Sequence, residues 1–225
     1  MADIATAHTE DSMHSVYDGD FKMLESVHCC ALILGTIFSS SPHEPQCRQA
    51  IDGLDAMDPT EEWPLGNKED LVEASDLIQK GALDYDGLCE EYGRQFIGPE
   101  HFEAPQWASV YLDPDSIVFG CAHLELRQWM RTHRIYPEHT SSTREAADSF
   151  GKEMLLLAWI ADRKPDLICD LVANHIMPWA PRYLELLRTS SRQPFWAGVA
   201  LLASTFLSSL SKSLGITPAT RKLFR

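Results

Sequence analysis

Residues 194–215 read PFWAGVALLASTFLSSLSKSLG. In this stretch Trp196, Val199, Ala203, Phe206, Leu210 and Leu214 recur at three- and four-residue steps, the period at which an α-helix buries a single stripe. Gly215 closes the stretch. The stripe predicts a core helix, and any fold for this chain must accommodate it.

Upstream the same pattern repeats. Ile168, Leu171, Val172, His175 and Ile176 form a stripe stopped at Pro178, and residues 182–188 form another short helix. Ser142 with Glu145 makes a capping box that opens a helix carrying Phe150, Met154, Leu157 and Ala161. Leu126, Trp129, Met130 and His133 share a face, with helix resuming by residues 116–121. Nearer the start, Leu24, Val27, Ala31, Leu34 and Phe38 follow Phe21 at helical spacing and end at Ser39-Ser40-Ser41-Pro42. A short helix over residues 46–54 follows. Asn67 is then a good N-cap, with Asp70 in the first turn of a helix lined by Leu71, Ala74, Ile78 and Ala82. Another helix runs from Asp86 through Leu88, Tyr92 and Phe96 to Gly98-Pro99, where proline cannot continue the ladder.

No convincing run of alternating β-branched residues appears, so the expected fold class is all-α: one domain of about ten or more helices around one core. Residues 1–17 are polar and unpatterned and are expected as a flexible arm. Residues 103–115 carry Pro105, Pro114, Trp107 and Tyr111 and read as a loop long enough for function to be suspected. Residues 135–147 read as a polar hinge between two helical halves. A monomer is expected, with swapping of the C-terminal half across that hinge as the alternative.

The composition sets further limits. A chain of 225 residues with 44% hydrophobic and 23% charged residues can bury one sizeable core unaided. The longest nearly apolar run, residues 29–38, is about half of a bilayer-spanning helix. The first twenty residues carry no Lys or Arg to start a secretory signal, so the expected location is the cytoplasm, without stable membrane insertion. No two of the six cysteines have Cys-x-x-Cys spacing, and they read as reduced thiols. Cys29-Cys30 beside His28 has the chemistry for a soft metal, but on an apolar helix it reads first as packing. The net charge of −14 repels nucleic acid and favours a basic peptide as partner, although solubility alone also explains it.

Catalytic templates are missing from the sequence: it holds no Gly-rich phosphate loop, no His-Glu-x-x-His, no Gly-x-Ser-x-Gly and no cysteine set at metal spacing. A non-enzyme without cofactor is expected, with a histidine–carboxylate pair set by geometry as the open alternative.

The most informative stretch is Arg94-Gln95-Phe96-Ile97-Gly98-Pro99, then Ala104-Pro105-Gln106-Trp107-Ala108-Ser109-Val110-Tyr111-Leu112-Asp113 and Ser116-Ile117-Val118-Phe119-Gly120. It resembles the Phe-x-Gly-Pro and Ala-Pro-x-Trp-x-Ser-Val-Tyr pattern of the TorD/DmsD family of molybdoenzyme maturation proteins. Leu126-Arg127-Gln128-Trp129-Met130-Arg131 continues it in the style of the dimethyl sulfoxide reductase chaperones. Further matches are Asp148 with Phe150-Gly151, His175-Ile176-Met177-Pro178-Trp179, Pro194-Phe195 and Lys222-Leu223-Phe224-Arg225. Together they cover roughly residues 85–225, while the first eighty match only in helical pattern.

The resemblance implies a helical chaperone that binds the twin-arginine (Tat) leader of a molybdoenzyme catalytic subunit and delays its export until the cofactor is inserted. Tat translocase components are implied as further partners. Two adjacent guanidinium groups want carboxylates or carbonyls, and the apolar segment behind them wants an apolar groove. By motif position the leader-binding residues are Tyr92, Phe96, Glu100, Trp107, Tyr111, Asp148 and Ser149. Glu100 stands where the family often has an aromatic, and Ser149 where it often has a histidine. The first departure exchanges apolar contact for a carboxylate; the second removes a titratable ring.

Structural roles compete for these positions. Trp107 and Tyr111 can cap the core, Phe96 and Trp129 lie on core stripes, and Asp148 can cap a helix. The alternative function is handling of molybdenum cofactor or guanine nucleotide during reductase maturation, which an acidic chain without a Walker-type loop serves less well.

Overall fold

The structure, a computed structural model, describes residues 7–98, 102–136 and 146–225, with side chains from Phe21 onward. Eleven α-helices and no strand are present among the described residues. In chain order they are α1 (Ala7–Ser39), α2 (Pro45–Ala56), α3 (Pro59–Glu62), α4 (Lys68–Ala82), α5 (Tyr85–Tyr92), α6 (Ala108–Leu112), α7 (Cys121–Thr132), α8 (Phe150–Arg163), α9 (Ile168–Leu171), α10 (Ala180–Ser190) and α11 (Pro194–Ser213). Two π-helical turns, Gly93–Ile97 and Val172–Ile176, continue α5 and α9.

Two helix pairs organise the core. α1 lies along α8, and α11 lies between α4 and α10. The crossings are close because glycine occupies the contact: a Cβ on Gly35 would sit 2.7 Å from Leu155 Cγ, and one on Gly198 would sit 2.9 Å from the Ala74 carbonyl oxygen. Between the pairs, Phe38, Phe150, Trp179 and Tyr183 interlock through tilted and edge-on ring contacts of 4.8–6.3 Å. This is a geometry aromatic quadrupoles favour over flat stacking.

The α11 stripe is buried over five of its six positions: Trp196, Val199, Ala203, Phe206 and Leu210 are fully covered, whereas Leu214 lies just past the helix end at Ser213 and is exposed. Asn67 caps α4, its side chain accepting from the Asp70 N–H at 2.9 Å. His28 is bonded to the Ala158 carbonyl, Cys30 is buried with its thiol pushed up to about 12 by burial, and Cys29 faces outward. The three residues therefore do not converge.

Several boundaries differ from expectation. α1 is described from Ala7, so residues 7–17 continue the helix instead of forming an arm; that stretch contains neither glycine nor proline to stop it. Residues 116–120 are not helical. Ser116 and Phe119 adopt φ of 49° and 67°, which breaks a right-handed helix, and α7 starts only at Cys121. The loop at 103–115 contains a helical turn of its own, α6. The capping box at Ser142 and Glu145 falls outside the described residues, as does most of the hinge, and α8 opens at Phe150 behind Ser149.

Phe21–Ser39 and Pro194–Ser213 are each long and apolar enough to cross a bilayer; in this fold the first packs one face along α8 and the second is mostly buried in the bundle.

Candidate functional site

One wall of the site begins at α5. Asp84 caps this helix by accepting from Gly87 N–H, and the helix widens into the π-turn before Gly98. Such turns often mark functional positions. Here the turn places the Tyr92 and Phe96 rings in a stack 5.1 Å apart, backed by Trp196. Behind them Arg94 ties the turn down, bonding Glu91, Glu103 and the Ser190 carbonyl. Burial pushes the Glu91 carboxyl up, but Arg94, the Arg192 N–H and Gln95 outweigh it and hold the group below its usual range.

The opposite wall is residues 102–112. Trp107 precedes α6 and meets Phe102 edge-on at 5.5 Å, remaining half-buried. An antiparallel bridge joins Trp107 to Ser149: Ala108 N–H donates to the Asp148 carbonyl and Phe150 N–H to the Gln106 carbonyl, each at 2.9 Å. Below the bridge, the fully buried Asp148 accepts from both the N–H and the hydroxyl of Ser109. Its other oxygen has no hydrogen-bond partner and lies 3.6 Å from His123 Nδ1, which accepts from the Ala147 N–H. Burial holds the His123 imidazole below its usual range, against the pull of Asp148.

A turn over residues 113–120 forms the lip. Asp113 accepts from the N–H groups of Asp115 and Cys121, which also hold its carboxyl below the ordinary range. With Ser116 and Phe119 left-handed, the turn holds Ile117, Val118 and Phe119 outward, 52%, 37% and 45% exposed. A non-glycine residue held at positive φ is strained, and such strain gathers at binding sites.

These walls enclose an open cleft of about 340 Å³, lined among others by Tyr92, Trp107, Val118, Phe119, Ser149 and Lys152. Of the residues expected from the sequence, Tyr92, Trp107 and Ser149 reach it. Phe96, Tyr111 and Asp148 lie beneath: Phe96 is buried against Tyr92, Tyr111 packs on Trp179 at 5.4 Å, and Asp148 braces the bridge. Glu100 lies outside the described residues. Val118, Phe119 and Lys152 also line the cleft, beyond the residues that the sequence motif marks. Three consecutive apolar residues before Gly120, with no helical partner, were the signal for the first two. No His, Cys, Asp and Glu grouping among the described residues is arranged to hold a metal ion.

The family model described as nitrate reductase delta subunit matches residues 60–185, more than half of the chain. The chain belongs to the TorD/DmsD family. A Tat proofreading chaperone DmsD from Salmonella typhi is 34% identical to this TorD/DmsD chain over 196 residues, 87% of this chain and 94% of the relative. A probable Tat proofreading chaperone DmsD from Haemophilus influenzae is 27% identical, covering 90% of this chain and 98% of its own length. The chaperone protein YcdY of Escherichia coli is 21% identical over 79% of this chain and 90% of its own. Alignments of this length extend the TorD/DmsD likeness past the motif-bearing residues 85–225 into the N-terminal helices. The relatives' names accord with the chaperone reading and not with the cofactor-handling alternative.

Proposed function

We propose that this protein is a cytoplasmic Tat proofreading chaperone. It holds the twin-arginine leader of a molybdoenzyme catalytic subunit, of the dimethyl sulfoxide reductase type, until cofactor insertion is complete. The observation that carries this reading is the cleft between Tyr92 and Trp107, with the strained apolar lip at Val118 and Phe119 beside it. Aromatic walls and an exposed apolar lip suit the hydrophobic stretch of a leader, and the net charge of −14 draws in its cationic end. The mechanism is competition, because leader in the cleft is unavailable to the translocase; no bond is made or broken.

The test is calorimetric titration of the full chain with a synthetic twin-arginine reductase leader, a variant with both arginines changed to lysine, and a scrambled control. Saturable binding of the native leader alone is expected. Trp107→Ala should weaken that binding about tenfold, or ~1.4 kcal/mol, while the urea midpoint stays nearly unchanged, since the ring is a half-buried anchor. Equal, weak binding of all three peptides, erased by salt, would leave charge attraction alone and end the leader reading.

A further inference from the structure

Residues 216–225 follow α11 without helix and cross a face built from the Val172–Ile176 π-turn, α7 and α6. Ala219 N–H donates to the Ala173 carbonyl and Phe224 N–H to the Tyr111 carbonyl, each at 2.9 Å. The Arg221 guanidinium bonds both carboxylate oxygens of Glu125, at 2.7 and 3.4 Å, and Arg225 donates to the Phe102 carbonyl. Lys222 sits 4.7 Å over the Phe224 ring. The Tyr111 carbonyl is on offer because it lies in the last turn of a helix, where carbonyls lack intrahelical partners.

Leu223 and Phe224 remain 38% and 39% exposed, so apolar burial anchors this segment only weakly. Its hold is two backbone bonds and two guanidinium contacts, each of them individually weak against water. Another peptide with the same groups can therefore displace it. Its order, adjacent cations Arg221-Lys222 and then apolar Leu223-Phe224, matches the chemistry of a leader with paired arginines ahead of an apolar stretch.

The described lining of the cleft includes Lys152 and no carboxylate. The seat of residues 219–225 supplies both kinds of guanidinium acceptor, a carboxylate and a carbonyl, and shares a wall with the cleft: Phe102 takes Arg225 on its carbonyl and Trp107 on its ring.

We propose that this seat is the arginine-accepting half of the leader site, that residues 219–225 occupy it at rest as an internal stand-in, and that an incoming leader displaces them. The proposal deepens the chaperone reading and rests on it. With the segment docked for most of the time, apparent leader affinity is reduced by the fraction of open seat.

The experiment pairs leader titration with amide hydrogen exchange on the full chain. Arg221→Ala combined with Phe224→Ala should bind the leader about three- to tenfold more tightly than the unmodified chain. Adding Glu125→Gln should remove most of that gain, because the leader's arginine needs the same carboxylate. In the unmodified chain, saturating leader should abolish protection of the Ala219 and Phe224 amides, a readout that needs no substitution. Leader binding by the double variant alone would also support the proposal. Equal binding by unmodified chain and variant, with both amides still protected, would overturn the stand-in and leave the leader reading intact. Binding by neither would bring both down.

Discussion

α11 and the segment from Gly93 to Cys121 cross the same molecule under opposite rules. In α11 one stripe of apolar residues meets α4 and α10, and the polar Trp196 Nε1 finds the Leu88 carbonyl at 3.0 Å. Between Gly93 and Cys121 the backbone passes through a π-turn, a bridge, a single helical turn and two left-handed residues. Besides the burial of Phe96, Tyr111 and Leu112, it is held by backbone N–H groups donating to the Asp148 and Asp113 carboxylates. The first region obtains its shape from the hydrophobic period, the second from specific polar contacts that hold the walls of a cleft open. Stability and binding should therefore respond differently to substitution in the two places.

The largest expected effect is in the first region. Trp196→Ala removes a fully buried indole that packs on Phe96 at 4.8 Å, and should cost about 3–5 kcal/mol in urea unfolding. Leader binding should fall only as the unfolded fraction rises. Selective loss of binding with an unchanged midpoint would make α11 part of the site and erase the contrast. Next is Asp148→Ala, which strands the buried Ser109 N–H and hydroxyl and should cost about 2–3 kcal/mol. Here binding should drop even where the protein remains folded, because the bridge that sets Trp107 against Ser149 is loosened. Asp148→Ala matching the fall in stability with no separate fall in binding would show the brace to be purely structural.

This division also explains what the sequence disclosed. A repeating apolar period is local, so α4, α8 and α11, the Asn67 cap and the all-α class can be read from residue spacing. The brace is not local: Asp148 reaches Ser109 across thirty-nine residues and His123 lies between them, and no pattern announces such a contact. Tyr111 and Asp148 were nominated by motif, but motif position does not distinguish a residue that lines a cleft from one that supports it. Phe119 carries no such mark, because its role depends on a φ of 67°, which the sequence shows only as an apolar trio ahead of Gly120.

A smaller effect sharpens the electrostatic side of the comparison. Glu153 is buried in α8, its Oε2 accepting from Trp179 Nε1 at 3.1 Å. Burial pushes its carboxyl well above the ordinary range, and the neighbouring Asp148 pushes it further. The folded state thus keeps a proton that the unfolded state releases. The associated stability is fully present below the ordinary carboxylate value of 4.5 and is lost as pH rises toward the raised one. His123 acts in the other direction: its depressed imidazole costs stability as pH falls below 6.5. Glu153→Gln keeps shape and acceptor without a proton to release, and His123 is common to both proteins. Calorimetric scans from pH 5 to 8 should show the variant gaining on the parent as pH rises, by about 2–4 °C for each kcal/mol recovered. A gap that closes with rising pH would mean an ionised, paired Glu153.

The smallest effect isolates the strain in the lip. Ser116 is exposed and left-handed at φ 49°, where a residue with a Cβ is disfavoured by about 1–2 kcal/mol and glycine is not. Ser116→Gly relieves that strain while adding flexibility to the unfolded chain, so the net gain should be about 0.5 kcal/mol, seen as a small rise in the urea midpoint. Leader binding should not change, because Ser116 does not line the cleft and Asp113 still clamps both ends of the turn. If stability rises and binding weakens, glycine has loosened the presentation of Val118 and Phe119, and the strained serine belongs to the recognition apparatus. If neither changes, Asp113 alone sets the turn, and the left-handed residues follow from its clamp instead of shaping the lip themselves.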